Sequence, residues 1–71
     1  MRRNLYGSTQ LNTKQRRIVA LIAEGLTNKE IASAIRTTEN VTKNYMRTIY
    51  DKLGTGNRIE VALWHVHHAE N

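Results

Sequence analysis

The chain has 71 residues, no cysteine and a formal net charge of +5, with eleven Lys and Arg against six Asp and Glu. For a chain of this length we expect one small domain with a modest core and no second domain. The lack of cysteine excludes a disulfide framework and a thiolate zinc site, and it fits a reducing cytoplasm. A sequence pI near 10.1 favours a polyanionic partner, with nucleic acid first among the candidates.

Hydropathy predicts a helical chain without a membrane segment. No apolar run approaches the roughly 20 residues that span a bilayer, and the N-terminus lacks the apolar segment of a signal peptide. Proline is absent and alternating β-branched runs are few, so we expect an all-α fold. Residues 1–10 are polar and show no periodicity, which predicts a flexible arm or the remnant of a linker before a single domain over 11–71.

The first predicted helix covers about residues 13–24. Asn12 and Gln15 have the spacing of a capping box, in which each side chain accepts from the other residue's backbone amide. Apolar residues follow at helical spacing from Ile18. Gly25, which readily adopts a left-handed cap, should end the helix.

The second predicted helix is short, about residues 28–35, and begins with a second capping box formed by Thr27 and Glu30. Its start would bring unpaired amides, the Thr27 hydroxyl and the Lys29 ammonium together, which suits a phosphate group. The alternative is a cap with only a structural role.

The third predicted helix covers residues 39–53 and follows a turn so short that the two helices must cross steeply, as in a helix-turn-helix. At 100° per residue it has two faces. One face suits a core and holds Thr42, Tyr45, Met46, Ile49 and Leu53, and the opposite face holds Asn40, Lys43, Asn44, Arg47 and Asp51. Lys and Arg suit guanine acceptors, and Asn suits adenine. We interpret this segment as a DNA recognition helix; the alternative is an amphipathic helix with a merely solvated polar face.

The fourth predicted helix, about residues 58–69, follows Gly54 and a third cap-like pair, Asn57 with Glu60. It has two apolar faces. We expect the wider stripe to close the core; it consists of Ile59, Ala62, Leu63 and Val66. The opposite face should then be exposed and form a two-fold dimer interface; it consists of Val61, Trp64, His65 and His68.

These features together resemble the LuxR/GerE-type DNA-binding domain, also called the FixJ/NarL type, over about residues 11–68. The resemblance is carried by Leu11, 18–25 (IVALIAEG), 26–32 (LTNKEIA), Thr38, Glu39, Lys43, Ile49, 52–54 (KLG), Asn57, Arg58 and 61–64 (VALW). It implies an all-α four-helix bundle with a helix-turn-helix, as found in bacterial transcription regulators. Many members place this domain after a receiver or ligand-binding domain, and their fourth helix usually dimerises.

The resemblance also implies roles for individual residues. By this resemblance, the residues expected to contact bases are Lys43, Asn44 and Arg47. The residues expected to contact phosphates are Thr27, Asn28, Lys29, Lys52 and Arg58. We therefore expect a homodimer on an inverted repeat of double-stranded DNA, in the bacterial cytoplasm at the nucleoid, with RNA polymerase as a candidate further partner and with no cofactor or metal.

The chain departs from the family pattern at several positions. Threonine replaces the usual aliphatic residue at Thr37, Thr42 and Thr55, and Tyr45 stands where His is common. Val41 and Thr42 stand in the reverse of the family's order, and Asn44 replaces a common aliphatic residue. A buried hydroxyl must find an acceptor, and we expect Thr42 to bond the carbonyl of Thr38.

Other functions find less support in the sequence. His65, His67 and His68 cluster, but no cysteine is present, and the only carboxylates that could complete a metal site are Glu60, at a stretch, and Glu70 beyond the end of the helix. No serine has a base beside it at an arguable spacing, so we expect no enzyme activity. Two binding functions remain as alternatives: a promoter-reading module like that of a sigma factor, and a helix-turn-helix that binds proteins instead of DNA.

Overall fold

The structure is a computed structural model that describes residues 11–69, and in this range it contains four α-helices and no strand. The helices are α1 (Thr13–Ala23), α2 (Asn28–Ala34), α3 (Glu39–Leu53) and α4 (Arg58–Ala69). The prediction of an all-α four-helix fold is confirmed, and α1 and α2 each end one residue earlier than expected. None of these helices is long and apolar enough to cross a membrane. The predicted arm, 1–10, lies outside the described residues.

The helices begin where the capping pairs predict. Asn12 Oδ1 accepts from the Gln15 amide at 2.8 Å, and Gln15 Oε1 accepts from the Asn12 amide at 3.0 Å. Thr27 and Glu30 make the same reciprocal pair at the start of α2, at 3.1 and 2.8 Å. Each box satisfies amides that a helix start leaves unpaired, so local sequence alone fixes these boundaries.

The loop from α3 to α4 also follows its sequence. Gly54 adopts a left-handed conformation (φ 70°) that ends α3. Asn57 Oδ1 then accepts from the Glu60 amide at 3.0 Å, while the Glu60 carboxylate accepts from the Gly56 amide at 2.6 Å. Asn57 and Glu60 therefore cap α4 as predicted.

All four helices contribute to one core. Its buried apolar residues are Leu11, Ile18, Val19, Ile22, Ile31, Met46, Ile49, Leu53 and Val61. The inner face of α3 is the predicted one, and Tyr45 packs at its edge. Thr42 is fully buried, and its hydroxyl donates to the carbonyl of Thr38 at 2.9 Å, as expected. This bond satisfies the hydroxyl inside an otherwise apolar contact.

The predicted orientation of α4 is wrong. Val61 is fully buried and Trp64 packs against the core, whereas both were expected outside. Ile59, Leu63 and Val66, expected inside, are 72%, 56% and 54% exposed. The helix is therefore rolled so that its narrower apolar face meets the core, chiefly against α1.

A long-range contact accompanies this roll. The Arg58 guanidinium, in the first turn of α4, donates to Asn28 Oδ1 at 2.8 Å and to the Leu26 carbonyl. On the helical wheel Arg58 lies between Val61 and Ala62, and its bonds hold this edge of α4 against the start of α2. Trp64, one turn after Val61, packs a large ring against the core, which favours the observed face. Counting apolar residues along α4 could not detect these contacts.

The turn from α2 to α3 contains an unusual backbone conformation. Arg36 has φ 62°, the left-handed region that few residues other than glycine adopt. The Thr37 amide donates to the Ala32 carbonyl at 2.8 Å, and the Thr38 hydroxyl accepts from the Val41 amide at 3.1 Å. These bonds fix the short connection of a helix-turn-helix.

Candidate nucleic-acid interface

The outer face of α3 is bare. Asn40, Lys43, Asn44 and Arg47 are all exposed. Within residues 11–69, the side chains of Lys43, Asn44 and Arg47 make no hydrogen bond or ion pair with another residue. Two cations and a carboxamide are therefore left free to bind a ligand.

A shallow cavity lies beside this face, between α3 and the start of α2. Its volume is about 270 Å³, and its lining consists of Asn28, Lys43, Met46, Arg47 and Tyr50. Two cationic side chains and a carboxamide surround a partly apolar floor. Such an open, cationic surface suits a polyanionic ligand such as a nucleic-acid strand.

Three of the predicted phosphate-binding residues lie at the start of α2, and they differ in which of their hydrogen-bonding groups are already used. Lys29 is exposed and pairs with no other described residue. The Thr27 oxygen already accepts from the Glu30 amide, so only its O–H is left to donate. Asn28 Oδ1 accepts from Arg58, which leaves the side-chain amide NH2 of Asn28 as a donor beside the cavity.

Two other predicted phosphate-binding residues are engaged inside the domain. Arg58 bonds Asn28 and the Leu26 carbonyl, as described above. Lys52 Nζ donates to Gln15 Oε1 at 3.3 Å, and Gln15 is only 5% exposed. Local sequence gives no signal of these bonds, because Lys52 and Gln15 are 37 residues apart and Arg58 and Asn28 are 30 apart.

A contact between α1 and α3 was not predicted from the sequence. Lys14 of α1 places its Nζ 5.6 Å from the centroid of the Tyr45 ring, within range of a cation–π contact. Tyr45 is the residue that replaces the histidine common in similar domains. The contact ties α3 to α1 on the side opposite the cavity.

The outside of α4 is an apolar stripe formed by Ile59, Leu63 and Val66 at i, i+4 and i+7. Of the four residues predicted to form an interface, Val61 is buried and Trp64 and His65 are half-buried, so only His68 is exposed. Its ring stacks on Trp64 with centroids 4.2 Å apart and planes at 16°. No group of three or more metal-binding side chains occurs in the part of the chain that the structure describes.

Comparison with known proteins identifies the family to which this domain belongs. Residues 9–65 match the family described as bacterial regulatory proteins, luxR family. The chain belongs to the luxR family. The resemblance drawn from the sequence is thereby confirmed, and the helix-turn-helix with its bare third helix is that of a DNA-binding transcription regulator. The luxR family consists of regulatory proteins, not enzymes.

Individual luxR-family relatives support the same classification. The chain is 36% identical over 56 residues to the probable transcriptional regulatory protein SgaR of Hyphomicrobium methylovorum, covering 79% of this chain and 26% of SgaR. It is 38% identical over 55 residues to the nitrate/nitrite response regulator protein NarL of Escherichia coli K12, covering 78% and 26%. It is 37% identical over 54 residues to the DNA-binding transcriptional activator DevR/DosR of Mycobacterium tuberculosis H37Rv, covering 76% and 25%. The chain spans about a quarter of the length of these relatives.

Proposed function

We propose that the chain binds a specific DNA sequence by inserting α3 into the major groove, with Lys43, Asn44 and Arg47 contacting base edges. The observation that carries this proposal is the bare outer face of α3, where these side chains have no partner within residues 11–69. Lys43 and Arg47 suit guanine O6 and N7, and Asn44 suits adenine N6 and N7. As a regulator, the protein works in the bacterial cytoplasm at the nucleoid, with RNA polymerase as a further partner.

Phosphate contacts come from the start of α2 in this proposal. The Thr27 O–H and the side-chain amide NH2 of Asn28 are still able to donate, and Lys29 is unpaired within the described residues, so all three residues can donate hydrogen bonds to a phosphate. Lys52 and Arg58 act instead as positioning residues, because their bonds to Gln15, Asn28 and Leu26 hold the helix starts in place. These phosphate contacts fix the register on DNA, and the base contacts choose the site.

The chain dimerises through α4 in this proposal, on the face opposite to the one predicted from the sequence. Ile59, Leu63 and Val66 form a contiguous exposed apolar stripe, and such a stripe on a small domain usually has a partner. A two-fold axis lets the stripe pack against its own copy. The dimer would then recognise an inverted repeat with half-sites about one DNA turn apart.

Selection of bound duplexes from a random pool, followed by fluorescence anisotropy, tests the DNA-binding roles. We expect Arg47→Ala to cost about 1–3 kcal/mol on the selected site and to blur the base preference there. Lys29→Ala should weaken selected and random duplexes alike and reduce the salt dependence, because it removes a phosphate contact.

Equal losses on both duplexes for both variants would contradict this division of roles. Binding without a steep salt slope would favour the rival function of a protein-interaction module, since such a module releases no counterions from DNA.

Analytical ultracentrifugation tests the dimer. Leu63→Asp places a charge in the centre of the exposed stripe and should shift the protein to monomer, since a buried unpaired carboxylate is costly. Thr13→Asp adds the same charge at an exposed position of α1 and should leave the dimer fraction unchanged. An unchanged dimer fraction in Leu63→Asp would exclude this face as the interface.

A further inference from the structure

An apolar side chain lies at the edge of the polar outer face of α3. Val41 is 38% exposed and lies in the first turn of the helix, between Asn44 and Thr48 on one side and Tyr45 on the other on the helical wheel. Single exposed apolar residues are common. This one, however, lies in the N-terminal part of a recognition helix, the part that contacts base edges in helix-turn-helix proteins.

Packing alone does not favour a valine at this position. Thr42, the next residue, is fully buried, and its hydroxyl needs the carbonyl of Thr38 as an acceptor. The reverse order would bury the valine methyl groups and expose the hydroxyl, which the hydrophobic effect favours. The observed order leaves a partly exposed valine at the edge of the face proposed to meet DNA.

The Val41 methyl groups are held in a fixed place. The Val41 amide donates to the Thr38 hydroxyl at 3.1 Å, which anchors the first turn of α3. A β-branched side chain in a helix has one strongly preferred χ1 rotamer, so little side-chain entropy is lost when it packs against a ligand. Asn44 follows at a rise of about 4.5 Å along the helix axis, little more than one base-pair step of roughly 3.4 Å.

We propose that Val41 selects a thymine by packing its methyl groups against the C5-methyl group of the base, beside the base pair that Asn44 reads. In the major groove only thymine presents a methyl group, so an apolar contact there distinguishes it from the other three bases. The inference rests on the proposed function, because it requires α3 to lie in the major groove.

Deoxyuridine provides the test, because it pairs with adenine as thymine does and lacks only the methyl group. With the full chain and a half-site taken from the random-pool selection, each thymine is replaced in turn and the affinity is measured by anisotropy. We expect one position per half-site where the replacement weakens binding about fourfold, the equivalent of one buried methyl group.

The same replacement should have no effect on Val41→Ser, which has no methyl group to lose contact. Lys43→Ala serves as the matched control: it should bind more weakly overall and still show the fourfold loss. A thermal melt of Val41→Ser that matches the original protein confirms that its fold is intact.

Two results would overturn the inference while leaving DNA recognition by α3 in place: a selected site at which no deoxyuridine matters, or an equal loss in Val41→Ser. Failure to enrich any site would instead overturn the proposed function, and this inference with it.

Discussion

The outer face of α3 and the hydrogen-bonded seam between the helices use the same kinds of side chain differently. The seam consists of two bonded groups: Gln15 with Lys52, and Arg58 with Asn28 and the Leu26 carbonyl. On the outer face, Lys43 and Arg47 bond nothing within residues 11–69. In the seam, Lys52 bonds Gln15 and Arg58 bonds Asn28 and Leu26. Net charge alone therefore does not indicate which cations bind DNA.

The difference has a thermodynamic consequence. A cation that stays hydrated in the folded protein adds little to the stability of the fold. Its favourable charge interaction forms only when an anionic partner binds. A cation bonded to partly buried oxygens stabilises the fold, because its removal leaves those oxygens without a donor. Substitutions in the two regions should thus change different measurements.

Arg58→Ala should have the largest effect on stability. It removes two charge-assisted hydrogen bonds that join α4 to the start of α2, at a cost of about 2–3 kcal/mol in the free energy of unfolding. Urea denaturation measures this loss. Arg47→Ala is the matched control and should change the free energy of unfolding by less than about 0.5 kcal/mol. Equal effects of the two variants would remove the distinction between the regions.

Thr55→Val should stabilise the protein. The Thr55 hydroxyl is buried and has no hydrogen-bond partner within residues 11–69, so an isosteric methyl group avoids its desolvation cost. We expect a gain of about 1 kcal/mol, which raises Tm by about 4–8 °C in a domain of this size.

Thr42→Val is the control for that gain, because the Thr42 hydroxyl is already satisfied by the Thr38 carbonyl. It should raise Tm by much less. A fall in Tm for Thr55→Val would show that the hydroxyl is needed where it lies.

Gln15→Glu should give the smallest gain, about 0.5–1 kcal/mol. A carboxylate keeps both acceptor bonds, to the Asn12 amide and Lys52, and adds a negative charge at the positive end of the α1 dipole. The gain should shrink at high salt, when measured by urea denaturation. In a Lys52→Met background it should vanish, because Gln15 is buried and its carboxylate would lack the ammonium.

Local chemistry explains what could be predicted from the sequence. The reciprocal pairs at Asn12 and Thr27 set the starts of α1 and α2, and Gly54 sets the end of α3. The two faces of α3 were also predictable, because its apolar and polar residues separate cleanly on the helical wheel. Each of these features depends on residues no more than one or two turns apart.

The roll of α4 could not be predicted in this way. Both of its faces are apolar, so the choice depends on contacts with distant parts of the chain, such as the bond between Arg58 and Asn28, which are 30 residues apart. The engagement of Lys52 by Gln15 depends on residues 37 apart. Periodicity carries no information about such pairs, and only the packing of α1 and α2 against the later helices decides them.

Arg58 also couples the starts of α2 and α4. It is the first residue of α4, and its guanidinium bonds Asn28, the first residue of α2, and the Leu26 carbonyl just before it. A rotation of α4 about its own axis would therefore pull on the segment carrying Lys29. Any such rotation imposed from outside would strain or break the bonds that hold the start of α2.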